Sequence, residues 1–372
     1  TVYGEGERLY QRDLAKSYRA IAREGVNWFY RGAYSRQVET WMRAHGGIIT
    51  ASDFASYRPR EREPLVSRYR DYMVVGFPPP SSGGVHVAQM LHMLEPFPLR
   101  EWLHDDPAKA THVIAEAMKL AFADRAHWLG DADFVRVPRG LVDREYGREL
   151  GLRINAERVT LVNKPGNPPN AATDVFGKHT THIAAADAEG NWVAITATIN
   201  TSFGSKVIVP ETGIILNNEM DDFAVEPGVP NAFGLVGADA NAVEPGKRPL
   251  SSMSPTIVMR DEKPVFTVGA AGGPTIISQV LLAIVRQIDG EQSVGEAIAA
   301  TRFHHQWAPN VIRLEQSAEE SLVRDLQARG HVLELVARIG VSQAIGWDAE
   351  RKLFMGVSDP RVPGLAAGPK TR

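Results

Sequence analysis

The sequence contains no cysteine, and other features that define common protein classes are also missing. Without cysteine the chain has no disulfide, no thiolate metal site and no cysteine nucleophile. It has no apolar run long enough to cross a membrane as a helix. The formal net charge is −3, and no cluster of Lys and Arg of the kind that binds phosphate backbones is present. We therefore predict no membrane span and no nucleic-acid partner.

What is there is typical of a globular protein: 44% of the residues are hydrophobic and 23% are charged. The 372 residues are enough for one large domain or two ordinary ones. Helical periodicity dominates the first 150 residues, and alternating apolar residues typical of antiparallel hairpins follow from about residue 181. Further helical segments come after the hairpins, so we expect helix layers packed on sheets.

Local signals predict where several elements begin and end. Capping boxes are predicted at two helix starts, Thr50 with Asp53 and Ser293 with Glu296. Single strands are predicted at residues 67–77 and at TGIILNN, residues 212–218. The run PPPSSGG at residues 78–84 is predicted to be a structured turn, because its three prolines lack amide donors and have a fixed φ.

The stretch KHTTHI, residues 178–183, follows a linker rich in Pro, Gly and Asn and opens a predicted hairpin. With its turn near residues 188–191, the hairpin register sets Thr180 and Thr181 opposite positions 198–200. A threonine ladder on an exposed sheet face is the ordinary interpretation of this pattern.

Strand alternation divides the second half of the hairpin into two faces. We expect Val193 and Ile195 on the core side, and Thr196, Thr198 and Asn200 on a polar side. The polar residues would then share a pocket with the start of the first strand.

One catalytic mechanism uses a threonine that opens a strand after a linker. If the bond before it is cut, the threonine becomes N-terminal, and its own α-amino group can act as the base for its hydroxyl. This chemistry needs neither histidine nor cysteine. On the residues alone, the two candidates are Thr180 and Thr181.

The glycine run GAAGG at residues 269–273 joins a predicted strand to a helix that starts near Pro274. Such a junction exposes backbone N–H groups that can hold an anion or form an oxyanion hole. A tight turn without a ligand is the simpler interpretation. A nucleotide site is disfavoured because the preceding strand belongs to a hairpin and not to a βαβ unit.

The close histidine pairs do not have the spacing or the neighbouring carboxylates of a zinc site. These pairs are His179 with His182, and His304 with His305. We predict that they are capping or core residues and that the chain holds no metal.

Several long motifs of this sequence resemble those of the γ-glutamyltransferase (γ-glutamyl transpeptidase) family. They are TTHIAAADAEGNWVAITATINTSFGS, GIILNNEMDDF, PGVPNAFGLVGADANAVEPGKRPLSSMSPTIV, GAAGG and RFHHQW, with PPPSSGG and AEAMKLAFADRAHWLGD as large-subunit signatures. The resemblance covers nearly the whole chain. It implies an N-terminal nucleophile hydrolase, an α+β protein with a four-layer αββα sandwich.

The resemblance implies a role for each matching residue. The precursor would cut itself between His179 and Thr180, with Thr180 as the nucleophile and Thr198 as the residue that orients it. The roles implied for the other matches are α-amino binding, α-carboxylate binding, the oxyanion hole and the lid. These matches are Asn200, Glu219 and Asp222 for the amino group, Ser251 and Ser252 for the carboxylate, Gly272 and Gly273 for the oxyanion, and residues 227–246 for the lid.

The activity implied is acyl transfer from a γ-glutamyl amide such as glutathione to water or to an amino acid or peptide. It requires no cofactor. The pieces 1–179 and 180–372 would be the C-terminal part of a large subunit and the small subunit with the nucleophile, intertwined as one domain. A periplasmic or extracellular location is also implied.

Two features depart from the family pattern. The family's large subunit extends upstream of residue 1 and carries an arginine that pairs with the substrate carboxylate, so we assign no arginine of this sequence to that role. Some bacterial members have a lid tyrosine that reaches the hairpin asparagine, whereas this sequence has Phe233. We therefore expect a more mobile lid.

Two alternatives to a γ-glutamyl enzyme remain open. One is an acylase of the same family that acts on a glutaryl-β-lactam, although the residues matched to an α-amino acid head group argue against it. The other is a family member that never matures, because the upstream segment is missing.

Overall fold

Two units, each with its own hydrophobic core, make up the described chain. The structure is a computed structural model that describes residues 3–169 and 182–368. Unit 1 comprises residues up to 61 together with 199–219, and unit 2 comprises the remainder. Each unit therefore takes residues from both sides of position 179. The division into subunit pieces at that position stays a prediction.

Four helices and a returning segment form unit 1. The helices are α1 Arg12–Glu24, α2 Val26–Tyr30, α3 Ala33–Ala44 and α4 Ala51–Ser56. The capping box predicted at Thr50 and Asp53 is confirmed. The core of the unit packs aromatic and aliphatic side chains of α3 against Val209 of the returning segment.

The short strand predicted at residues 212–218 is wrong. Only an isolated bridge joins Ile208 and Ile215 in this segment. The positive φ of Gly213, 65°, turns the backbone at the point where a strand would have to continue. The Leu216 N–H donates to Val207 O, so the segment forms a narrow loop and not an extended strand ladder.

Unit 2 contains the remaining α-helices. They are α5 Gly83–Leu94, α6 Leu99–Asp105, α7 Pro107–Trp128, α8 Arg144–Gly151, α9 Thr275–Ile288, α10 Val294–Ala299 and α11 Glu320–Ala328. The box predicted at Ser293 and Glu296 is confirmed. Asp106 caps the long helix α7 by accepting from Lys109 N at 2.9 Å, with proline in the first turn where no donor is needed.

The strands of unit 2 form three sheets. They are β1 Leu65–Tyr69, β2 Tyr72–Gly76, β3 Ile183–Ala186, β4 Trp192–Ile195, β5 Thr256–Arg260, β6 Lys263–Ala271, β7 Phe303–His304, β8 Ile312–Glu315, β9 Leu333–Val336, β10 Val341–Asp348 and β11 Leu353–Ser358. The largest sheet is antiparallel in the order β1-β2-β5-β6-β10-β11. The prediction of one strand at 67–77 is wrong, since Arg70 reverses the chain with φ 53° and leaves two paired strands.

Helices cover one face of the six-stranded sheet, and the β3–β4 hairpin covers the other. Phe266 and Val268 of β6 belong to the core cluster that includes α5 and α9. Gly269, the residue after Val268, lies on the opposite face, where a Cβ would come 2.1 Å from His182 Nδ1. Because side chains alternate across a strand, the layers follow the order helix, sheet, sheet.

The hairpin pairs in a different register from the one predicted. Ile183 pairs with Ile195, whereas the predicted register would have paired it with positions 196–198. The turn begins one residue earlier than expected because Asp187 closes it. The carboxylate of Asp187 accepts from the backbone N–H groups of Glu189 and Asn191, both at 3.0 Å.

The expected burial of the hairpin is also wrong. Val193 is 41% exposed and Ile195 is 49% exposed, whereas Thr196 on the opposite face is only 8% exposed. The face that carries Thr196 and Trp192 packs on the large sheet, and Val193 and Ile195 point outward.

Across residues 3–169 and 182–368, no helix combines the length and the apolar character needed to cross a bilayer.

Candidate active site

Two serine pairs that are far apart in the sequence lie against each other in unit 2. Ser82 N–H donates to Ser251 O at 2.8 Å, and Ser251 N–H donates to Pro80 O at 2.9 Å. The Ser82 hydroxyl also donates to Ser251 O, at 2.8 Å. The predicted turn PPPSSGG is therefore confirmed as a structured turn, and it supports the serines matched to carboxylate binding.

The backbone approach at this junction requires glycine. A Cβ on Gly83 would lie 2.2 Å from Met253 O and 2.2 Å from Ser254 Oγ. No side chain fits in that space, so Gly83 permits the turn to pack directly on the segment that carries Ser251 and Ser252.

A buried arginine, which the sequence analysis did not single out, joins the two serine pairs. Arg125, near the end of α7, donates from Nε to Ser82 Oγ at 2.9 Å and from Nη2 to Ser252 Oγ at 3.1 Å. Burial lowers the pKa of Arg125 to about 10, and the charge of Asp222 opposes part of that effect. The guanidinium therefore remains charged at neutral pH. In the sequence it is one of several charged residues of α7, so nothing local marked it as a site residue.

Asn241 is a second contributor that the sequence analysis missed. Its side chain is buried, donates from Nδ2 to Asp222 O at 2.9 Å and accepts from Leu250 N–H at 2.9 Å. It thereby holds the backbone of Asp222 close to the residue that precedes Ser251. Two predicted site segments, one acidic and one carrying serines, are brought together by this amide.

The glycine turn lies between β6 and α9, as predicted. Gly272 and Gly273 both have positive φ, at 141° and 59°. Within the described chain neither amide N–H is recorded as a hydrogen-bond donor, and Gly272 is exposed. The turn therefore presents two backbone donors that an oxyanion can use.

A glutamine of α9 braces this turn from behind. Gln279 Nε2 donates to Ala271 O at 3.1 Å and to Thr275 O at 3.2 Å, so it links the last residue of β6 to the first of α9. Gln279 Oε1 accepts from Arg302 Nη1 at 3.1 Å and from Ser342 Oγ at 2.9 Å. Both the NH2 group and the carbonyl oxygen of the buried Gln279 side chain therefore have hydrogen-bond partners.

The predicted lid residue packs on the glycine turn. A Cβ on Gly273 would meet Phe233 Cδ1 at 2.8 Å, so the ring lies directly on that residue. Gln306 holds the neighbouring backbone by donating to Gly234 O at 3.1 Å. Asn200 belongs to unit 1, so the mobility predicted from the lack of a tyrosine hydroxyl at Phe233 stays a prediction.

The first described residue of the hairpin lies close to the same turn. His182 Nδ1 is 3.2 Å from Thr196 Oγ1, and its ring covers Gly269, three residues before Gly272. Burial lowers the pKa of His182 to about 4, so this ring is neutral at pH 7. His179, Thr180 and the rest of residues 170–181 lie outside the described residues.

Unit 2 contains one part of the predicted site. The residues are Thr198, Asp222, Phe233, Ser251, Ser252, Gly272 and Gly273. Thr198 is half-buried at the end of the hairpin. Asn200 and Glu219 belong to unit 1, where Asn200 Nδ2 donates to Asn218 O at 3.0 Å. Their predicted role beside Asp222 stays a prediction.

A cavity lies elsewhere in the described chain. It occupies about 330 Å³ in unit 1 and is lined by none of the predicted site residues. Its lining includes Lys16, Arg19, Arg23, Trp28 and Glu211.

The histidines at 304 and 305 are core residues, as predicted. His305 accepts from Trp307 N–H at 3.0 Å on Nδ1, and its Nε2–H donates to Asn310 Oδ1 at 3.1 Å. His304 Nδ1 is 2.6 Å from Ser278 Oγ. Both rings are buried among protein partners.

One other group in the described chain has the composition of a metal site. The side-chain ligand atoms of His112, Glu116 and His331 lie within 4.8 Å of one another. However, Lys119 Nζ donates to Glu116 Oε1 at 2.6 Å, and His112 Nε2–H donates to Asn155 O at 2.7 Å. A buried ammonium already balances the carboxylate, so the group is satisfied as a structural network.

Comparison with solved structures defines the class. The chain superimposes on cephalosporin acylase from Bacillus halodurans with a TM-score of 0.85 over 99% of this chain, at 28% identity. The fold is that of the N-terminal nucleophile hydrolases, an α+β fold, as expected from the sequence.

Sequence comparison defines the family. The family model described as Gamma-glutamyltranspeptidase matches residues 1–368, and the chain belongs to that family. It is 43% identical over 98% of its length to a glutathione hydrolase proenzyme of Escherichia coli (strain K12). It is 40% identical, also over 98%, to a glutathione hydrolase proenzyme of Pseudomonas sp. (strain A14). The chain spans 62% and 64% of these two relatives and 64% of the acylase chain.

Proposed function

We propose that this chain is the catalytic part of a γ-glutamyl acyltransferase and hydrolase whose nucleophile is Thr180. The observation that carries the proposal is the glycine turn, whose two unused amide donors end the strand on which the start of the hairpin packs. Thr180 precedes His182 by two residues, at most about 7 Å of extended chain. His182 itself lies on Gly269 of the strand that ends in the turn.

Maturation comes first in this proposal. The bond between His179 and Thr180 is cut, and Thr180 gains a free α-amino group. The two relatives are both named as proenzymes, which supports processing of this kind. The pieces 1–179 and 180–372 then remain associated, since each unit contains residues from both.

Acylation follows. Thr180 Oγ attacks the γ-carbonyl carbon of a γ-glutamyl amide, and its proton passes to the Thr180 α-amino group. The oxyanion of the tetrahedral intermediate accepts from the N–H groups of Gly272 and Gly273. The C–N bond then breaks, the proton passes from the ammonium to the leaving amine, and a γ-glutamyl ester of Thr180 remains.

Deacylation completes the cycle. Water or an acceptor amine attacks the ester carbonyl and gives its proton to the Thr180 amine. The C–Oγ bond breaks, Thr180 Oγ recovers the proton, and glutamate or a new γ-glutamyl amide leaves. Thr198 orients the nucleophile in this proposal, and the reaction needs no metal or organic cofactor.

Head-group recognition separates this proposal from the acylase alternative. Asn200, Glu219 and Asp222 bind an α-ammonium group, and Ser251 with Ser252 binds the α-carboxylate. A glutaryl acyl group lacks the ammonium, so the carboxylates of Glu219 and Asp222 would have no cation to pair with. The likeness to a cephalosporin acylase structure keeps the acylase as a second candidate.

Mass measurement and turnover together test the proposal. The full natural polypeptide and its Thr180→Ala variant are purified, and their masses are determined. We expect wild type to split between residues 179 and 180 and to release p-nitroaniline from γ-glutamyl-p-nitroanilide, and the variant to do neither.

Three results would contradict parts of this proposal. A wild type that remains one piece and releases nothing supports the non-maturing alternative. Release from a glutaryl anilide and not from the γ-glutamyl one supports the acylase. Cleavage that persists in Thr180→Ala excludes Thr180 as the residue that cuts the chain.

A further inference from the structure

The guanidinium of Arg125 is buried against two serine hydroxyls. Its Nε donates to Ser82 Oγ at 2.9 Å, and its Nη2 donates to Ser252 Oγ at 3.1 Å. Only 4% of Arg125 is exposed. Among the described side chains no carboxylate forms an ion pair with it within 4.0 Å. A buried cation without a bonded anion is costly, so this charge calls for a functional explanation.

Hydrogen-bond direction is determined at this cluster. A guanidinium has five N–H donors and no acceptor, so both serine oxygens must accept. Each serine keeps one hydroxyl proton to donate. Ser82 gives its proton to Ser251 O at 2.8 Å. Within the described chain no acceptor is recorded for the proton of Ser252.

The consequence concerns the orientation of Ser252. With a lone pair of Oγ held by Arg125, the hydroxyl proton is directed away from the guanidinium. The main chain of the neighbouring Ser251 is fixed by the PPPSSGG turn through Ser82 and Pro80. The Ser252 hydroxyl is therefore oriented as a donor before any substrate arrives.

We propose that Arg125 is a positioning residue for carboxylate recognition, which acts by directing the hydroxyl proton of Ser252 toward the substrate carboxylate. The inference rests on the proposed function, in which Ser251 and Ser252 bind the α-carboxylate of a γ-glutamyl group. The Arg125 charge adds a favourable potential for the anion from behind the serine. It differs from the upstream arginine of the family, because it reaches the carboxylate through Ser252.

Two ligands that differ only in the α-carboxylate give a direct test. L-Glutamate carries this group and 4-aminobutanoate lacks it. Their binding to the full natural protein is measured by calorimetry, which needs no turnover. We expect the preference of wild type for L-glutamate to fall about 10- to 100-fold in Arg125→Met, the range for one charge-assisted hydrogen bond.

A double-mutant cycle separates positioning from a merely structural role. If Arg125 acts through Ser252, then Ser252→Ala lowers the same preference and adding Arg125→Met lowers it little further. With γ-glutamyl-p-nitroanilide, KM rises in both single variants, and kcat changes less. Additive losses in the cycle would overturn the inference, and so would an unchanged preference in Arg125→Met.

Two further variants control for folding. Arg286→Met removes another largely buried guanidinium, one that donates to Ala297 O and Ala300 O, and should leave the preference unchanged. Arg125→Lys keeps the charge but cannot bond both serines, so we expect it to lose part of the preference for L-glutamate. This variant provides the test if Arg125→Met does not fold. A full preference in Arg125→Lys would contradict the need for two donors. Wild-type turnover tests the proposed function separately, so the two failures are distinguishable.

Discussion

The ring of Phe233 lies directly on Gly273, so close that a Cβ on the glycine would come 2.8 Å from Phe233 Cδ1. The predicted lid and the predicted oxyanion turn are therefore in contact through these two residues. Gln306 fixes the backbone of the lid at Gly234, and Gln279 fixes the turn.

Gly273→Ala should impair both stability and turnover. The substitution places a Cβ against Phe233 and requires a non-glycine residue at φ 59°. The strained backbone alone costs about 1–2 kcal/mol, and displacement of one oxyanion donor lowers kcat about 100-fold or more. Urea unfolding and steady-state kinetics measure the two effects.

Gly46→Ala is the matched control for that variant. Gly46 has φ 74° and no atom within 4 Å of the added Cβ, so this change has the backbone penalty without the collision. It should lose stability but keep kcat. Equal losses of kcat in the two glycine variants would contradict the role assigned to Gly273.

Gln279→Met should lower kcat more than it raises KM. The change removes the N–H donor to Ala271 O and one acceptor of the buried Arg302 Nη1. Each unsatisfied buried polar group costs about 1–3 kcal/mol, so we expect the unfolding free energy to fall by that order. Gln287→Met, on the same helix with a single bond to Ala283 O, is the control and should retain kcat. An unaltered kcat in Gln279→Met would show that the turn holds its shape without the amide.

Gly83→Ala should strongly disturb the serine junction. Its Cβ would lie 2.2 Å from Met253 O, and overpacking of this kind costs about 1–3 kcal/mol or more. In contrast, Gly295→Ala lies within α10 with 4.0 Å of space and should gain about 0.5–1 kcal/mol, because alanine favours a helix. Thermal unfolding measures the expected loss of stability in Gly83→Ala and the expected gain in Gly295→Ala. A neutral Gly83→Ala would mean that the turn can separate from Ser251 at little cost.

Acid should destabilise the protein through its buried histidines. Burial lowers the pKa of His305 to about 3 from its usual 6.5, and its Nδ1 already accepts from Trp307 N–H. A depressed pKa in the folded state means that the stabilisation is complete above about pH 6.5 and is lost as the pH falls toward 3. Each such histidine contributes a slope of up to about 1.4 kcal/mol per pH unit.

His305→Asn should make the dependence of unfolding free energy on pH shallower between pH 6.5 and 4. His104→Asn replaces an exposed histidine and should leave the slope as in wild type. Unfolding in urea at a series of pH values measures the slopes. Identical slopes in wild type and His305→Asn would contradict a buried neutral His305.

Local patterns predicted much of the secondary structure. The capping boxes at Thr50 and Ser293, the helices α5, α7 and α9, and the hairpin β5–β6 all rest on interactions a few residues apart. The prediction of one unbroken strand across Arg70 and the predicted hairpin register were wrong. Both depend on the backbone conformation of one or two residues, which hydrophobic periodicity does not report.

The candidate site was only partly predictable for a related reason. The glycine turn and the serine pair stand out as motifs, but a motif does not reveal its supports. Arg125 and Ser252 are separated by 127 residues, and Ser82 and Ser251 by 169. Arg125 is one of several charged residues of α7, so nothing local marked it as a hydrogen-bond donor to a serine.

The sequence by itself determined the elements, the turn at residues 269–273 and, through its motifs, the family to which the chain belongs. Short-range hydrogen bonds and side-chain periodicity are encoded within a few residues, and long motifs preserve them. Only the tertiary structure decided which face of the β3–β4 hairpin is buried and which side chains hold Ser252 and Gly273 in place. Burial and hydrogen-bond direction are properties of the packed chain, because they depend on which distant groups exclude water from a given atom.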